Sequence, residues 1–281
     1  MPDEVKWNLC KLFADDCKLY GSVNLVGENN IQCDLLNLER WSIKWQLPFN
    51  VSKCKIMHFG YNNPKHSYVL NNQILDKSNN EKDLGGVTID TELKFHVHTA
   101  AAISKANQVL GLIKKSYRTR DSLTIPTLYK TLVRPHLEYG NCIWGPFYRD
   151  DIDKLESVQR RATKLVTGLK DKPYEQRLKE LDIPSLTYRR KRGDMIQMYK
   201  IVNGLLRIDV KSFFTPAYAS RTRGHPNKMF KQHASKRPRI ASFSQRVVNS
   251  WNSLPCHVIT AHSINEFKSG IDKHCDICDK S

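Results

Sequence analysis

The sequence predicts an α+β protein, with a few antiparallel strands and one helix at the start and a mainly helical remainder. Short runs of alternating polar and apolar residues, broken by turn-forming pairs, occupy the chain as far as residue 92. From residue 93 onward apolar residues recur at helical spacing. A hydrophobic content of 40% over 281 residues is enough for a sizeable core, in one large or two ordinary domains. The expected divisions are 1–92, 93–145 and 146–281.

In Lys11-Leu12-Phe13-Ala14-Asp15-Asp16-Cys17-Lys18-Leu19-Tyr20 two short apolar-rich runs meet at an acidic pair, which predicts a hairpin with carboxylates at its tip. Between Glu28 and Gln46, Ile31, Leu35, Leu38 and Trp45 recur at helical spacing. They predict an amphipathic helix whose Trp41 and Trp45 pack in the core. The alternation in Lys53-Cys54-Lys55-Ile56-Met57-His58-Phe59 predicts a half-buried strand. Ser67–Leu70 and Gln73–Leu75 flank Asn71-Asn72, two residues that tolerate positive φ, and so predict a second hairpin. Leu84-Gly85-Gly86-Val87-Thr88-Ile89 is a further short strand bent at its glycines.

Helices are predicted over Phe95–Tyr117 and over Ser122–Tyr139, the latter kinked or ended at Pro135. A third runs from Asp150-Asp151 towards Gly168, an acidic start and a glycine stop. Tyr174–Leu181 and Ser185–Asn203 come next. Arg207–Arg239, with Pro216, Gly224, Pro226 and Pro238 among dispersed cations, predicts a loop. Phe243–Trp251 and Ile264–His274 return as short helices, and no internal repeat of solenoid type is present.

The charge balance is lopsided: 45 Lys+Arg against 28 Asp+Glu, a formal +17 and a sequence pI near 9.5. Nucleic acid is the commonest partner for so basic a chain. An anionic membrane is the rival polyanion, but no run approaches the roughly 18 apolar residues of a spanning helix. Nor does the start have the basic-then-apolar order of a secretory signal. The eight cysteines lack the close spacing of a disulfide framework, which suits reduced thiols in a nuclear or cytoplasmic protein that is not secreted. Cys275 and Cys278, with His274 beside them, have ligand spacing, but a zinc site normally wants four such residues and a frayed terminus is the plainer reading. Arg160, Arg161 and Lys164, then Arg189, Arg190, Lys191 and Arg192, then Arg221, Arg223, Lys228, Lys231, Lys236, Arg237 and Arg239 are candidate phosphate-binding cations. Tyr188, Tyr199, Phe230 and Phe243 offer stacking surfaces nearby. Solvated faces are the alternative for any one of these clusters.

Two carboxylates at a hairpin tip suit nucleotidyl transfer, because they can hold divalent cations against phosphate oxygens, although Asp is also ordinary turn chemistry. The order of the segments from this hairpin onward carries a resemblance. Phe13-Ala14-Asp15-Asp16 resembles the F/Y-A-D-D box of reverse transcriptases, in the form typical of non-LTR (LINE-type, Jockey-like) retrotransposons. Trp41 to Gly60 resembles that family's next palm block, "W-x-x-x-W-x-L-x-F-N-x-x-K-C-K-x-M-H-F". Glu81-Lys82-Asp83-Leu84-Gly85-Gly86-Val87 resembles its primer-grip hairpin, with one glycine more than the common "D-L-G-V". Leu132–Tyr139, Leu155–Thr163, Arg189–Asp194 and Phe243–Pro255 resemble blocks downstream of the polymerase in LINE-like reading frames.

The resemblance implies a partial reverse-transcriptase palm over 1–92, thumb-like helices over 93–145 and a basic helical C-terminal region over 146–281. It implies that Asp15 and Asp16 are catalytic carboxylates binding Mg²⁺, and that Lys53 lies near the incoming triphosphate, with a solvated lysine as the alternative. RNA template and DNA primer or target are the implied partners. The family's "F-x-D" and "P-Q-G-S" blocks do not occur, so the expectation is a fragment of an RNA-directed DNA polymerase, truncated upstream of the Asp-Asp box and inactive alone. The alternatives are a non-catalytic basic nucleic-acid-binding protein derived from a mobile element, and an interaction protein retained by a host. No endonuclease domain is discernible.

Overall fold

A computed structural model describes residues 2–23, 30–83, 85–217 and 225–278, of which Pro2 and 275–278 are described by their backbone alone. Leu84, Arg221, Arg223 and Gly224, and the side chains of Cys275 and Cys278, lie outside what is described. The chain divides into two compact units, Met1–His98 and Thr99–Ser281.

The first unit opens with strands β1 (Leu9–Phe13) and β2 (Asp16–Tyr20), followed by helix α1 (Asn30–Trp45). β1 and β2 pair antiparallel, Leu9 opposite Tyr20 and Phe13 opposite Asp16, so Ala14 and Asp15 alone make the turn. α1 buries Asp34, Leu35, Leu38 and Ser42 along one face. Its Leu35 joins Tyr68, Leu70 and Leu75 in a small core, with Leu19, Ile31, Phe49, Val51, Cys54 and Ile56 packed around it. Trp41 is half-buried, but Trp45, expected in the core, is 59% exposed. It is the last residue of the helix, past the reach of that cluster.

Strands β3 (Lys55–Ile56), β4 (Val69–Leu70), β5 (Gln73–Ile74), β6 (Asp76–Lys77), β7 (Asn80–Lys82) and β8 (Thr88–Asp90) complete the unit. β4 and β5 pair around Asn71 and Asn72, both at positive φ (49° and 59°), as a two-residue hairpin of asparagines requires. β7 pairs with β8 across a longer loop in which Gly86 holds φ 78° and donates its N–H to the Asp83 carbonyl. Two expectations are corrected. The strand placed over 53–59 is only two residues long, because Val51–Lys53 coil into a 3-10 turn closed by the Cys54 N–H on the Val51 carbonyl. β3 also pairs parallel, not antiparallel, with β6, the β4–β5 hairpin lying between them in the chain. Each strand pair stands as its own two-stranded sheet among the described residues.

The second unit begins within α2 (His96–Ser116), whose Thr99, Ala102, Ala106, Leu110 and Ile113 form one buried face. The span from α3 (Thr124–Leu128) to α4 (Arg134–Glu138) is continuous but passes through a π-helical turn at Tyr129–Val133. Pro135 lacks an N–H and its ring needs space against the preceding turn, so the widened turn is the local solution rather than a break. α5 (Asn141–Trp144), α6 (Arg149–Thr163), α7 (Tyr174–Glu180) and α8 (Leu186–Val202) follow, α8 capped by the Ser185 hydroxyl on the Tyr188 N–H.

The stretch read as a loop over 207–239 is more ordered than expected. Strands β9 (Thr215–Pro216) and β10 (Met229–Phe230) pair antiparallel, and α9 (Arg237–Ala241) starts with Pro238 in its first turn, where a missing N–H costs nothing. α10 (Phe243–Ser253), α11 (Cys256–Ile259) and α12 (Ile264–Cys278) close the unit. Met198, Ile201, Phe214, Val247, Trp251, Phe267 and Ile271 are among its core.

Arg246 ties several of these pieces together. Its guanidinium donates to both Asp194 oxygens (2.8 Å each) and to the carbonyls of Ala241, Asn141 and Cys142. Gly145 makes room for it: a Cβ there would lie 2.7 Å from Arg246 Cζ.

Candidate active-site hairpin and basic surface

The hairpin presents Asp15 in the turn and Asp16 as the first residue of β2, both exposed. Ala14 holds φ 52°, a left-handed conformation that an alanine adopts at a cost of roughly 1–2 kcal/mol. Cross-strand pairing places Asp16 on the same face as Phe13, Lys11 and Lys18. Lys18 Nζ lies 2.7 Å from Asp83 Oδ1, so the hairpin is tied to the β7–β8 connection. Leu9, Phe13 and Tyr20 on this face are 59%, 62% and 40% exposed.

The opposite face carries a thiol pair, Cys10 Sγ 3.5 Å from Cys17 Sγ. Burial, reinforced by the hydrogen bond with Cys10, pushes the Cys17 thiol up to about 12. Burial raises Cys54 as well. Cys17 and Cys54 are therefore thiols at neutral pH, packed as small apolar side chains rather than poised as nucleophiles.

What holds the entry to β1 is a residue outside the motif. The Asp34 carboxylate, 0% exposed on α1, accepts hydrogen bonds from the main-chain N–H groups of Lys6 (2.8 Å), Trp7 (3.2 Å) and Asn8 (2.9 Å) and from Asn8 Nδ2 (2.8 Å). Its signal in the sequence is an acid on an apolar stripe, three residues after Ile31 and four before Leu38.

Lys53 ends the 3-10 turn and is exposed, its N–H donating to the Asn50 carbonyl. As a donor set for Mg²⁺, Asp15 and Asp16 have the hard oxygens the ion takes, one or two carboxylates with water and phosphate completing the shell. Among the described residues no group of three or more His, Cys, Asp or Glu converges as a metal site. The pair thus fits a share in one ion's shell and falls short of a self-contained two-ion centre.

In the second unit the basic strings divide sharply. Arg189 forms a two-pronged ion pair with Glu138, Nη2 2.9 Å from Oε2. Arg192 pairs with both oxygens of Asp272 (2.6 and 2.8 Å), which also accepts from the Tyr188 hydroxyl (3.0 Å). Arg190 is buried, and burial lowers its pKa while Glu156, Glu138 and Asp194 oppose the shift. Of that string only Lys191 is exposed.

The 160–164 string behaves otherwise. Arg160, Arg161 and Lys164 are all exposed at the end of α6, with Arg160 stacked over the Tyr174 ring at 5.1 Å. The buried side of the same helix is polar: Gln159 accepts from the Tyr129 hydroxyl (2.7 Å) and donates to the Tyr174 hydroxyl (2.9 Å). Burial raises both tyrosines, so they stay neutral hydrogen-bonding groups. Elsewhere Lys228 and Pro238 are half-buried, while Lys231, Lys236, Arg237 and Arg239 are exposed. Of the stacking candidates, Tyr199 is buried and Phe230 is 58% exposed. Among the described residues no helix is long and apolar enough to cross a membrane.

No family model matches the chain, and no solved structure does. Among curated proteins it is similar to the probable RNA-directed DNA polymerase from transposon X-element of Drosophila melanogaster, 24% identical over 161 residues, 56% of this chain and 18% of that one. The probable RNA-directed DNA polymerase from transposon BS of the same species is 28% identical over 174 residues, 59% of this chain and 19% of that one. The RNA-directed DNA polymerase from mobile element jockey of Drosophila funebris is 22% identical over 252 residues, 85% of this chain and 24% of that one. The chain spans about a fifth of the length of these relatives.

Proposed function

For a chain similar to the RNA-directed DNA polymerases of non-LTR mobile elements, we propose that the first unit is part of a polymerase palm. Asp15 and Asp16 are its metal-binding carboxylates, acting on an RNA template and a DNA primer. The observation that carries this reading is the two-residue turn that presents adjacent carboxylates, both exposed, between paired strands. Mg²⁺, when bound, clamps phosphate oxygens and offsets the charge that develops on them. The chain's own part is to hold the ion through Asp15 and Asp16, and to keep the hairpin in place through Lys18–Asp83 and Asp34. Lys53 supplies a cation for the triphosphate. The β7–β8 hairpin serves as the primer grip, and the helices from α2 onward as thumb and basic C-terminal region.

The 281 residues by themselves do not polymerise, because two-ion catalysis needs more anionic ligands than this pair. Primer extension with purified protein, an RNA template, a DNA primer and Mg²⁺ should give no product, and template-dependent synthesis would overturn the inactivity. Mn²⁺ titration followed by water proton relaxation tests the metal role. The Asp15→Asn/Asp16→Asn variant should lose ion binding while keeping its fold and its affinity for nucleic acid; unchanged ion binding would remove the carboxylates from that role.

A further inference from the structure

Cys10 and Cys17 lie on one face of the β1–β2 hairpin, with Leu12 and Leu19 beside them. In the register Cys10 stands opposite Leu19 and Cys17 opposite Leu12, so the two cysteines are diagonal partners across the strands. Their sulfurs are nevertheless in contact, 3.5 Å apart. Among the described residues no other two thiols make a hydrogen bond: Cys54 donates to the Asn50 carbonyl at 3.3 Å, and Cys33 and Cys256 stand exposed.

Packing alone does not account for the pair. A free cysteine that serves as a small apolar side chain is ordinarily among the most buried residues, whereas these two are half-buried on a hairpin face whose Leu12 is 44% exposed. The pair borders solvent, where a small oxidant can approach it. A disulfide needs its sulfurs at about 2.0 Å, so they must close by roughly 1.5 Å. Diagonal partners stand further apart at Cα than opposite ones, and the closure has to come from side-chain rotation and added strand twist. The hairpin can supply both, because β1 and β2 form a two-stranded sheet with no third strand among the described residues, and two-stranded ribbons twist the most.

The geometry points to a site of reversible oxidation: hydrogen peroxide converts the Cys10 and Cys17 thiols into a cross-strand disulfide within the hairpin. One sulfur takes an oxygen atom from the peroxide, which leaves as water, and becomes a sulfenic acid. The other sulfur then displaces that hydroxyl, and its own proton departs with it as a second water. Two thiols and one peroxide give one disulfide and two waters, the two electrons passing from sulfur to oxygen. The second step joins groups already in contact, so it outruns capture of the sulfenic acid by thiols in solution. Excess glutathione or a dithiol reductant restores the pair by exchange. The bridge clamps β1 to β2 beside the turn that carries Asp15 and Asp16, whatever those carboxylates bind.

The test uses the full chain, reduced, freed of reductant and treated with hydrogen peroxide at neutral pH. Remaining thiols are alkylated in urea, and trypsin, which cuts after Lys11, separates Cys10 from Cys17 unless a disulfide joins their peptides. The joined peptides should form at least about tenfold faster than Cys33 or Cys256 is oxidised, and should part again in dithiothreitol. Cys10→Ser and Cys17→Ser should each abolish the link and leave the remaining sulfur as a sulfenic acid that dimedone traps, while Cys54→Ser should form the link as the parent does. In the oxidised chain, hydrogen exchange over residues 9–20 should slow by about tenfold or more, with peptides of the second unit unchanged. Cys10 and Cys17 still free after Cys33 and Cys256 are oxidised, a link from Cys17 to Cys54 instead, or hairpin exchange that is unchanged or faster would each overturn the proposal. Mn²⁺ binding is read separately: a chain that forms the link but holds no ion refutes the metal role alone, and one that holds the ion but forms no link refutes this site alone.

Discussion

Replacing Asp34 by alanine removes a fully buried carboxylate that accepts three main-chain hydrogen bonds and one from the Asn8 amide. The N–H groups of Lys6, Trp7 and Asn8 lose their acceptor together. Each such bond contributes roughly 1 kcal/mol, and an orphaned buried donor costs roughly 1–3 kcal/mol. The donors are only part-buried and recover some hydration, so about 3 kcal/mol is expected in all, against the roughly 5–15 kcal/mol of an ordinary domain. Because these amides lead directly into β1, the loss should appear as local opening of the hairpin before general unfolding.

Hydrogen exchange read by mass spectrometry on peptides covering residues 6–20 is the assay. About 3 kcal/mol corresponds to an acceleration of about a hundredfold, with peptides of the second unit unchanged. Asp34→Asn, which keeps one acceptor oxygen, should fall between parent and alanine. Exchange within threefold of the parent in Asp34→Ala would refute the idea that this carboxylate anchors the hairpin.

Ala14→Gly should stabilise the hairpin by about 0.5–1 kcal/mol, since φ 52° is unstrained for glycine and the gain is reduced by the freer unfolded chain; slower exchange at Asp15 and Asp16 would register it. Arg246→Ala leaves Asp194, 7% exposed, without its guanidinium and should cost about 3 kcal/mol in urea unfolding of the second unit. The hydrogen bond from Arg192, strengthened by Tyr188, holds the Asp272 carboxyl below its usual 3.8. The pairing is therefore in full force above that pH and is lost as pH falls through the lowered value, so Asp272→Asn should unfold with a shallower pH dependence below pH 4. Cys17, held up to about 12, keeps its proton where an ordinary thiol is partly ionised. At pH 8.5 its alkylation by iodoacetamide should be at least about a hundredfold slower in the folded chain than in urea, and equal rates would contradict its burial.

The sequence by itself determined the local elements. Helical periodicity fixed α1, α2 and α8 to within a residue or two and the start of α6, which ends at Thr163 rather than at the glycine stop expected at Gly168, and Asn71-Asn72 and Asp15-Asp16 fixed two tight reversals, because spacing and turn chemistry act over a few residues. The family resemblance was legible in the same way, as an ordered string of short motifs. What only the tertiary structure decided is the fate of each charge. Arg189-Arg190-Lys191-Arg192 and Arg160, Arg161 and Lys164 look alike as strings of cations, yet the first is largely consumed by Glu138, Asp272 and burial while the second remains in solvent. Glu138 and Asp272 lie 51 and 80 residues from their arginines, and no local pattern announces such partners. The strand expected at Lys53 is cut short, and the described part of 207–239 stays mostly loop but gains the β9–β10 pair, for the same reason: short segments of weak propensity take whatever conformation their distant neighbours complete.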